Sequence, residues 1–188
     1  EKAMKVATRM NGVAVDQLME TIEAVKANPQ LAQFRFRARN RWIDGTHNRS
    51  SIQGFYGAGS EDTSRTEPFL FDNDEPPVLL GENRGVNPPE IVLHAVAGCV
   101  TTTFVAFASA QGVKIDSIET EIEGDIDLHG FLALSDVPRG YREIRMKFRV
   151  ESGAPRDVIE ALLKLAQRQS PTFDIVSNPT PVRVDLAT

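Results

Sequence analysis

One side chain stands out as a nucleophile: Cys99, the only cysteine among 188 residues, within the segment HAVAGCVTTT (residues 94–103). A thiolate attacks electrophiles such as peroxides and disulfides, so a cysteine whose pKa is lowered can carry redox chemistry. A cysteine without such activation packs in a core as a small apolar side chain. The residue type alone leaves both interpretations open.

The sequence gives only weak evidence for any other reactive or metal-binding group. Three histidines (His47, His94 and His129) and Cys99 are too far apart for a zinc site of recognisable spacing. Glu90 and His94 form an i,i+4 pair, which is more typical of an ordinary helix pair than of half a metal site. Neither a GxGxxG motif after a strand, nor a Walker loop, nor a GxSxG elbow is present. We therefore expect no metal and no cofactor, and any chemistry falls to Cys99.

Cys99 lies in a long apolar helix that the sequence predicts from Asn87 to about Gln111. Asn87 is a good N-cap, prolines follow in the first turn, and Gly112 ends the helix. On this helix the thiol has six neighbours, none of them an acid, a base or a cation: Val92, Ala95, Val96, Thr102, Thr103 and Ala106. The thiol is also well past the free N–H groups of the first turn. A reactive Cys99 therefore requires a cation from elsewhere in the fold or from a second chain.

The elements that must position this helix are predicted by their periodicity. Helical spacing appears in residues 15–27 and 155–169, with a further turn after Ser170-Pro171. Alternation predicts strands at residues 34–42, 51–56, 68–72, 118–128, 143–150 and 182–186. This order predicts an α+β fold in which a mostly antiparallel sheet packs on two central helices. We assign residues 1–30 to an N-terminal helical extension and residues 31–188 to a single domain.

Charge excludes some partners. The formal net charge is −5, so the protein as a whole repels nucleic acid and anionic membranes. The basic side chains at residues 145, 147 and 149 are matched by an acidic stripe in residues 119–127, which predicts pairing of these two strands. The apolar run of residues 91–110 has the length of a membrane span, but its polar residues and flanking strands favour a buried core helix. With one cysteine and no secretory signal core, we expect a cytoplasmic protein without nucleic-acid or membrane partners.

The segment NPPEIVLHAVAGCVTTTFVAFASAQGVKIDSIETEIEG resembles the signature of the OsmC/Ohr superfamily. The order of DEPPVLLGENRGVNPPE before the helix and RQSPTFDIVSNPTPV near the end agrees with that resemblance. The resemblance implies an OsmC-like fold, with the long helices of each chain packed centrally in an intertwined homodimer and the sheets outside. Such a dimer would cover a helix that is apolar almost all round.

The resemblance also implies an activity. The best-known members are thiol peroxidases for organic hydroperoxides, in which a cysteine placed as Cys99 becomes a sulfenic acid. An arginine and a glutamate activate that thiolate, which implies catalytic roles for Glu90 and for Arg49 or Arg41. The family's second cysteine, which closes a disulfide, falls on Ser170, so turnover would use an external thiol reductant. The chain thus resembles a branch that lacks the second cysteine, and Pro89 stands where the peroxidase branches carry the glutamate.

Two functions follow from the resemblance. The first is a one-cysteine peroxidase for a small organic hydroperoxide. The alternative is a non-catalytic protein that binds an apolar small molecule or senses redox state, with Cys99 as packing or as sensor. In either case the predicted pocket is formed by side chains around Cys99 on its helix: Val92, Ala95, Val96 and Thr103.

Overall fold

The structure is a computed structural model, and it describes residues 8–187. These residues form, in chain order, β1 (Arg9–Met10), β2 (Val13–Ala14), α1 (Val15–Ala27), β3 (Arg39–Asp44), β4 (His47–Ile52), β5 (Phe55–Gly57), β6 (Ser60–Asp62), β7 (Phe69–Asn73), α2 (Pro88–Ala110), β8 (Ser117–Gly124), α3 (Leu128–Phe131), β9 (Ile144–Glu151), α4 (Arg156–Gln169) and α5 (Pro171–Ser177). The ladders between these strands are antiparallel. The predicted α+β class is therefore confirmed, as are the helices predicted in residues 15–27, 87–111 and 155–169.

The chain divides into two compact units, residues 8–15 with 92–187, and residues 16–91. The first unit is built around α2, which buries a stripe of residues four apart: Val96, Val100, Phe104 and Ala108. Leu162 and Ala166 of α4 complete the buried cluster, and the apolar faces of β8 and β9 pack against it. In the sequence of α2, Cys99 lies between Val96 and Val100 of this buried stripe.

Only one face of α2 is buried in the single chain. In the expected homodimer the rest of this apolar helix is covered. Val92 is 37% exposed, and Gly98 and Thr102 are also exposed. By length and composition alone α2 is apolar enough to cross a membrane, a test that core helices of globular proteins also pass. The face of α2 that carries Val92, Gly98 and Thr102 is therefore uncovered in the single chain.

The predicted pairing of the acidic and basic stripes is confirmed in β8 and β9. The register places opposite charges directly across the ladder, as Glu119 with Arg149, Glu121 with Lys147 and Glu123 with Arg145. Ion pairs join the two strands, directly across the ladder at 3.1 Å between Arg145 and Glu123 and diagonally at 2.9 Å between Arg149 and Glu121. The apolar side chains of the same strands consequently face the core.

Residues 16–91 contain a three-stranded sheet in the order β3-β4-β7 and the hairpin β5-β6. The strand predicted from Phe34 begins only at Arg39, and it pairs with β4. Within the described residues 34–38 the backbone makes one bridge, from Arg35 to Tyr56. Rings of Phe34 and Phe36 stack 5.9 Å apart there, so aromatic contact replaces a regular ladder.

The strand predicted at residues 182–186 is not present. These residues are extended, but within the described part of the chain they join no ladder. The exposed fractions of Val182, Val184 and Leu186 are 81%, 91% and 95%. An alternating pattern predicts a strand only where a sheet edge is available, and among residues 8–187 no sheet edge receives the segment.

A buried carboxylate orders the loop between β7 and α2. Asp74 is only 2% exposed. One of its carboxylate oxygens accepts a hydrogen bond from the Thr46 hydroxyl at 2.6 Å and another from the N–H of the next residue, Glu75, at 2.9 Å. The other oxygen accepts from the N–H groups of Glu82 and Arg84, at 3.1 and 3.0 Å. These bonds hold the pKa of Asp74 far below its usual range, the Thr46 hydroxyl being the largest cause. One side chain therefore closes a loop of about ten residues.

Replacing Asp74 with alanine should lower the melting temperature by about 10 °C, because four donors lose their acceptor. The isosteric variant Asp74→Asn tests the charge separately. The lowered pKa makes the carboxylate's stabilisation complete above about pH 4, the ordinary pKa, and progressively lost as pH falls below it. Melting temperatures between pH 2 and pH 7 should therefore depend less on pH in Asp74→Asn than in the wild type. Parallel pH profiles for the two proteins would contradict the assigned role.

Candidate functional site

Cys99 lies near the middle of α2, half-buried and without a disulfide. The hydroxyl of Thr103, one turn later, donates to the Cys99 carbonyl oxygen at 2.8 Å. As the sequence predicted, no charged side chain of α2 is a cause of any shift in the thiol's pKa. The environment of the sulfur is therefore set by elements that pack on α2.

The junction of α4 and α5 supplies that environment. Leu162, Ala166 and Ser170 are spaced four residues apart and are all buried, with Ser170 only 1% exposed. Ser170 ends α4 and caps α5, and its Oγ accepts the N–H of Phe173 at 3.3 Å. Phe173 in turn packs against the core cluster that contains Val96.

Burial and neighbouring polar groups act in opposite directions on the pKa of the Cys99 thiol. Burial raises its pKa, whereas the Ser170 hydroxyl, the Thr172 hydroxyl and N–H, and the Thr103 hydroxyl lower it. The lowering contributions are larger, so the pKa of Cys99 lies below its ordinary value. None of these groups is a cation. The cation that a reactive thiol was expected to need, from elsewhere in the fold or from a second chain, stays a prediction.

The side chains predicted to form a pocket differ in their environments. Val96 is 4% exposed, Ala95 and Thr103 are half-buried, and Val92 is exposed. A cavity of about 440 Å³ lies beside α2, and Val96 is the only one of the four that lines it. Its other lining residues are Val100, Tyr141, Arg142, Glu143, Ile144, Met146, Phe148, Leu163, Gln167, Phe173, Val176 and Ser177. Mostly apolar walls of this volume suit a small molecule, and Cys99 itself does not line the cavity.

The predicted activating residues Arg41, Arg49 and Glu90 all belong to the unit of residues 16–91. Arg41 and Arg49 are exposed and lie directly opposite each other in β3 and β4. Glu90 forms a reciprocal cap at the start of α2: its carboxylate accepts the Asn87 N–H, and its N–H donates to the Asn87 side chain, each at 3.0 Å. Among the described residues Glu90 forms no ion pair with an arginine. The roles of these three residues toward Cys99 stay predictions.

Asp72 holds Arg49 in this chain, a contact that the sequence analysis missed. The guanidinium donates to both oxygens of Asp72, at 2.9 and 3.1 Å, and the buried His47 ring lies 2.7 Å from the same carboxylate. These contacts hold the pKa of Asp72 below its usual range, and the hydrogen bond from Arg49 is the largest cause. Thr172 was missed as well. A readable signal existed for Thr172, because a serine cap followed by proline places its N–H in a first helical turn.

Comparison with known families now assigns the fold around this thiol. Residues 81–185, more than half of the chain, match the family model of OsmC-like proteins. The chain belongs to the OsmC-like family. That match contains Glu90, Cys99 and Ser170. Comparison with curated protein sequences finds no match.

Solved structures agree with this OsmC-like fold. An OsmC-like protein from Mycoplasma pneumoniae is similar with a TM-score of 0.56 and 15% identity, covering 76% of this chain and 87% of that one. An organic hydroperoxide resistance protein OsmC from Legionella pneumophila is similar with a TM-score of 0.53 and 15% identity. That match covers 75% of this chain and 89% of the Legionella chain. A hypothetical protein from Aquifex aeolicus is similar with a TM-score of 0.53 and 15% identity. That match covers 76% of this chain and 86% of the Aquifex chain. At these identities the likeness establishes the fold alone.

Proposed function

We propose that this OsmC-like protein is a cytoplasmic thiol-dependent peroxidase that reduces organic hydroperoxides through Cys99. The observation that carries the proposal is the position of Cys99, the chain's one cysteine, half-buried on α2 within the segment that matches the OsmC-like family model. Membership of the OsmC-like family supports it, as does the similar fold of the Legionella protein described as an organic hydroperoxide resistance protein. A lowered pKa increases the thiolate fraction, and the thiolate is the species that attacks peroxide.

The proposed cycle uses one cysteine. The Cys99 thiolate attacks the distal oxygen of the hydroperoxide, the O–O bond breaks, and the alkoxide leaves as the alcohol after taking a proton. Cys99 is thereby oxidised to a sulfenic acid. A small external thiol attacks the sulfenic sulfur and releases water, leaving a mixed disulfide. A second external thiol then attacks the mixed disulfide, which regenerates the Cys99 thiol and releases the oxidised reductant.

Arg49, Arg41 and Glu90 enter this proposal as groups that assist the thiolate, with Arg49 the first candidate. In this chain Arg49 is oriented by Asp72 rather than by Glu90. If an arginine contributes, replacing both Arg41 and Arg49 with alanine should raise the thiol's pKa and slow its oxidation. An unchanged pKa together with an unchanged rate would remove both arginines from the mechanism.

The peroxidase proposal is tested by stopped-flow oxidation of the reduced protein with cumene hydroperoxide and, separately, with hydrogen peroxide. Dimedone traps a sulfenic acid, and mass spectrometry locates the adduct. We expect fast oxidation by the organic peroxide and an adduct on Cys99. Oxidation no faster than that of free cysteine with either peroxide would overturn the proposed activity.

We further propose that the protein works as a homodimer. Support comes from the uncovered face of α2 and from the exposed apolar side chains of residues 182–186. We expect a native mass of twice the chain's 20.7 kDa. In this chain a Cβ added at Gly98 meets no atom within 4 Å, so Gly98→Arg should leave the isolated chain folded but obstruct a partner on α2. Sedimentation equilibrium should show a weakened dimer, and an equally tight dimer would place the interface elsewhere.

The cavity beside α2 favours a second candidate function, the binding of a small apolar molecule without catalysis. Native mass spectrometry of the purified protein distinguishes this function. A bound molecule of constant mass, together with a thiol that peroxide oxidises no faster than free cysteine, would favour the binding protein. An empty cavity with rapid oxidation at Cys99 would favour the peroxidase.

A further inference from the structure

The two sheets of this chain treat their basic side chains differently. In β8 and β9 each basic side chain lies directly opposite an acidic one. In β3 and β4 the register places Arg41 directly opposite Arg49, and Arg39 opposite Ser51. Like charges that face each other across a ladder destabilise it. Because departures from such local rules are expected at functional sites, this face of the β3-β4-β7 sheet is a candidate binding surface.

A cavity of about 320 Å³ lies beside Arg39, within the unit of residues 16–91. It is located where the two chain segments separate, between the Arg39–Ser51 pair and the bridge that joins Arg35 to Tyr56. Its walls include the side chains of Arg37, Arg39 and Ser51, and none of the described residues that line it is acidic. A cavity of this volume accommodates a small molecule.

The arginines at this cavity and along the adjoining sheet face are only partly neutralised. The guanidinium of Arg37 donates to both carboxylate oxygens of Glu61, at 2.8 and 2.7 Å, and Arg49 is held by the carboxylate of β7 described above. Among residues 8–187, Arg39 and Arg41 form no ion pair. Two positive charges therefore remain uncompensated here, although the chain as a whole has a net charge of −5.

Two donor groups at the cavity are left for a ligand. The side-chain amide of Gln53 donates to the carbonyl oxygens of Arg65 and Thr66, each at 3.1 Å, so both of its protons are used. Within the described part of the chain, the side chains of Arg39 and Ser51 form no hydrogen bond, and Ser51 is half-buried. Residues directly opposite in a ladder have Cβ atoms about 4.5–5.5 Å apart, so these two side chains can reach one anion.

We propose that this cavity binds the phosphate group of a small phosphate monoester. The planar fork of Arg39 contacts two phosphate oxygens, and the Ser51 hydroxyl donates to a third. A phosphate monoester carries about two negative charges at pH 7, which offset those of Arg39 and Arg41. A carboxylate offers only two oxygens and one charge, and the negative chain repels a long polyanion such as nucleic acid. The site includes neither Cys99 nor α2, so it is separate from the proposed peroxidase.

The test is isothermal titration calorimetry of the purified protein with phenyl phosphate at fixed ionic strength, and with benzoate as the carboxylate. We expect saturable binding of phenyl phosphate that is about tenfold weaker in Arg39→Gln, since hydrogen bonds to a charged group are lost. Ser51→Ala should weaken binding by about threefold. Arg168→Gln is the matched control, because it removes an exposed arginine of α4 that forms no ion pair among the described residues. Its affinity should equal that of the wild type.

The variant Arg39→Lys separates charge from geometry, because lysine keeps the positive charge but lacks the fork. Its affinity should lie between those of the wild type and Arg39→Gln. Ser51→Ala keeps the test valid if Arg39→Gln loses its fold, which circular dichroism would show. Benzoate that binds as tightly as phenyl phosphate would overturn the phosphate assignment. A wild type that does not bind phenyl phosphate would overturn the site itself, as would equal affinities of Arg39→Gln and Arg168→Gln.

Discussion

The substitution Cys99→Ser should abolish the reduction of organic hydroperoxide. Cys99→Ser retains a side chain of similar size but replaces the thiol with an alcohol, which is not a nucleophile at neutral pH without an activating base. Cys99 is half-buried, and its side chain is not part of the buried core. We therefore expect a folded variant with no peroxide consumption above that of buffer.

The rate itself separates ionisation from catalysis. With a pKa of about 8.5, free cysteine is about 3% thiolate at pH 7, so complete ionisation alone accelerates its reaction at most about 30-fold. A larger excess of the wild-type rate over free cysteine indicates stabilisation of the transition state. The measurement is consumption of cumene hydroperoxide with a dithiol as reductant. Residual consumption by Cys99→Ser equal to that of the wild type would place the activity outside Cys99.

Truncation of Phe104 should cause the largest loss of stability in the unit that holds the thiol. Phe104 is fully buried, and its ring lies 5.1 Å from that of Phe148, which joins α2 to β9. Phe104→Ala removes this contact and leaves a cavity, at a cost of about 3–5 kcal/mol in the free energy of unfolding. Because Cys99, Val100 and Phe104 share one segment of α2, the same variant should also raise the pKa of Cys99 by loosening the polar groups that lower it.

Urea denaturation followed by circular dichroism measures the first effect, and the pH profile of Cys99 alkylation by iodoacetamide measures the second. Phe131→Ala is the matched control, because that ring is 72% exposed and its truncation should change the free energy of unfolding by less than about 0.5 kcal/mol. Equal midpoints for the two variants would contradict the position of Phe104 at the centre of the core.

Much of the fold was predictable because its signals are local. The cap at Asn87, the stop at Gly112 and the break at Ser170-Pro171 act on neighbouring residues, and the structure places helix ends there. The pairing of β8 with β9 was predictable for a different reason: complementary charge stripes fix a register without further information. The strand expected at residues 182–186 failed because a strand requires an edge, and alternation says nothing about where that edge is.

Sequence alone determined that Cys99 is the sole thiol, that it lies mid-helix, and that no charge of its own helix reaches it. It also carried the family signature, because the motif around Cys99 is contiguous. The resemblance already implied that Ser170 lies near Cys99, and the tertiary structure decided the rest of what surrounds the sulfur. Ser170 and Thr172 lie about seventy residues away in the chain, and packing of the α4–α5 junction on the core brings their donors to Cys99. Hydrogen bonding depends on distances of a few ångströms in space, which a linear pattern does not contain.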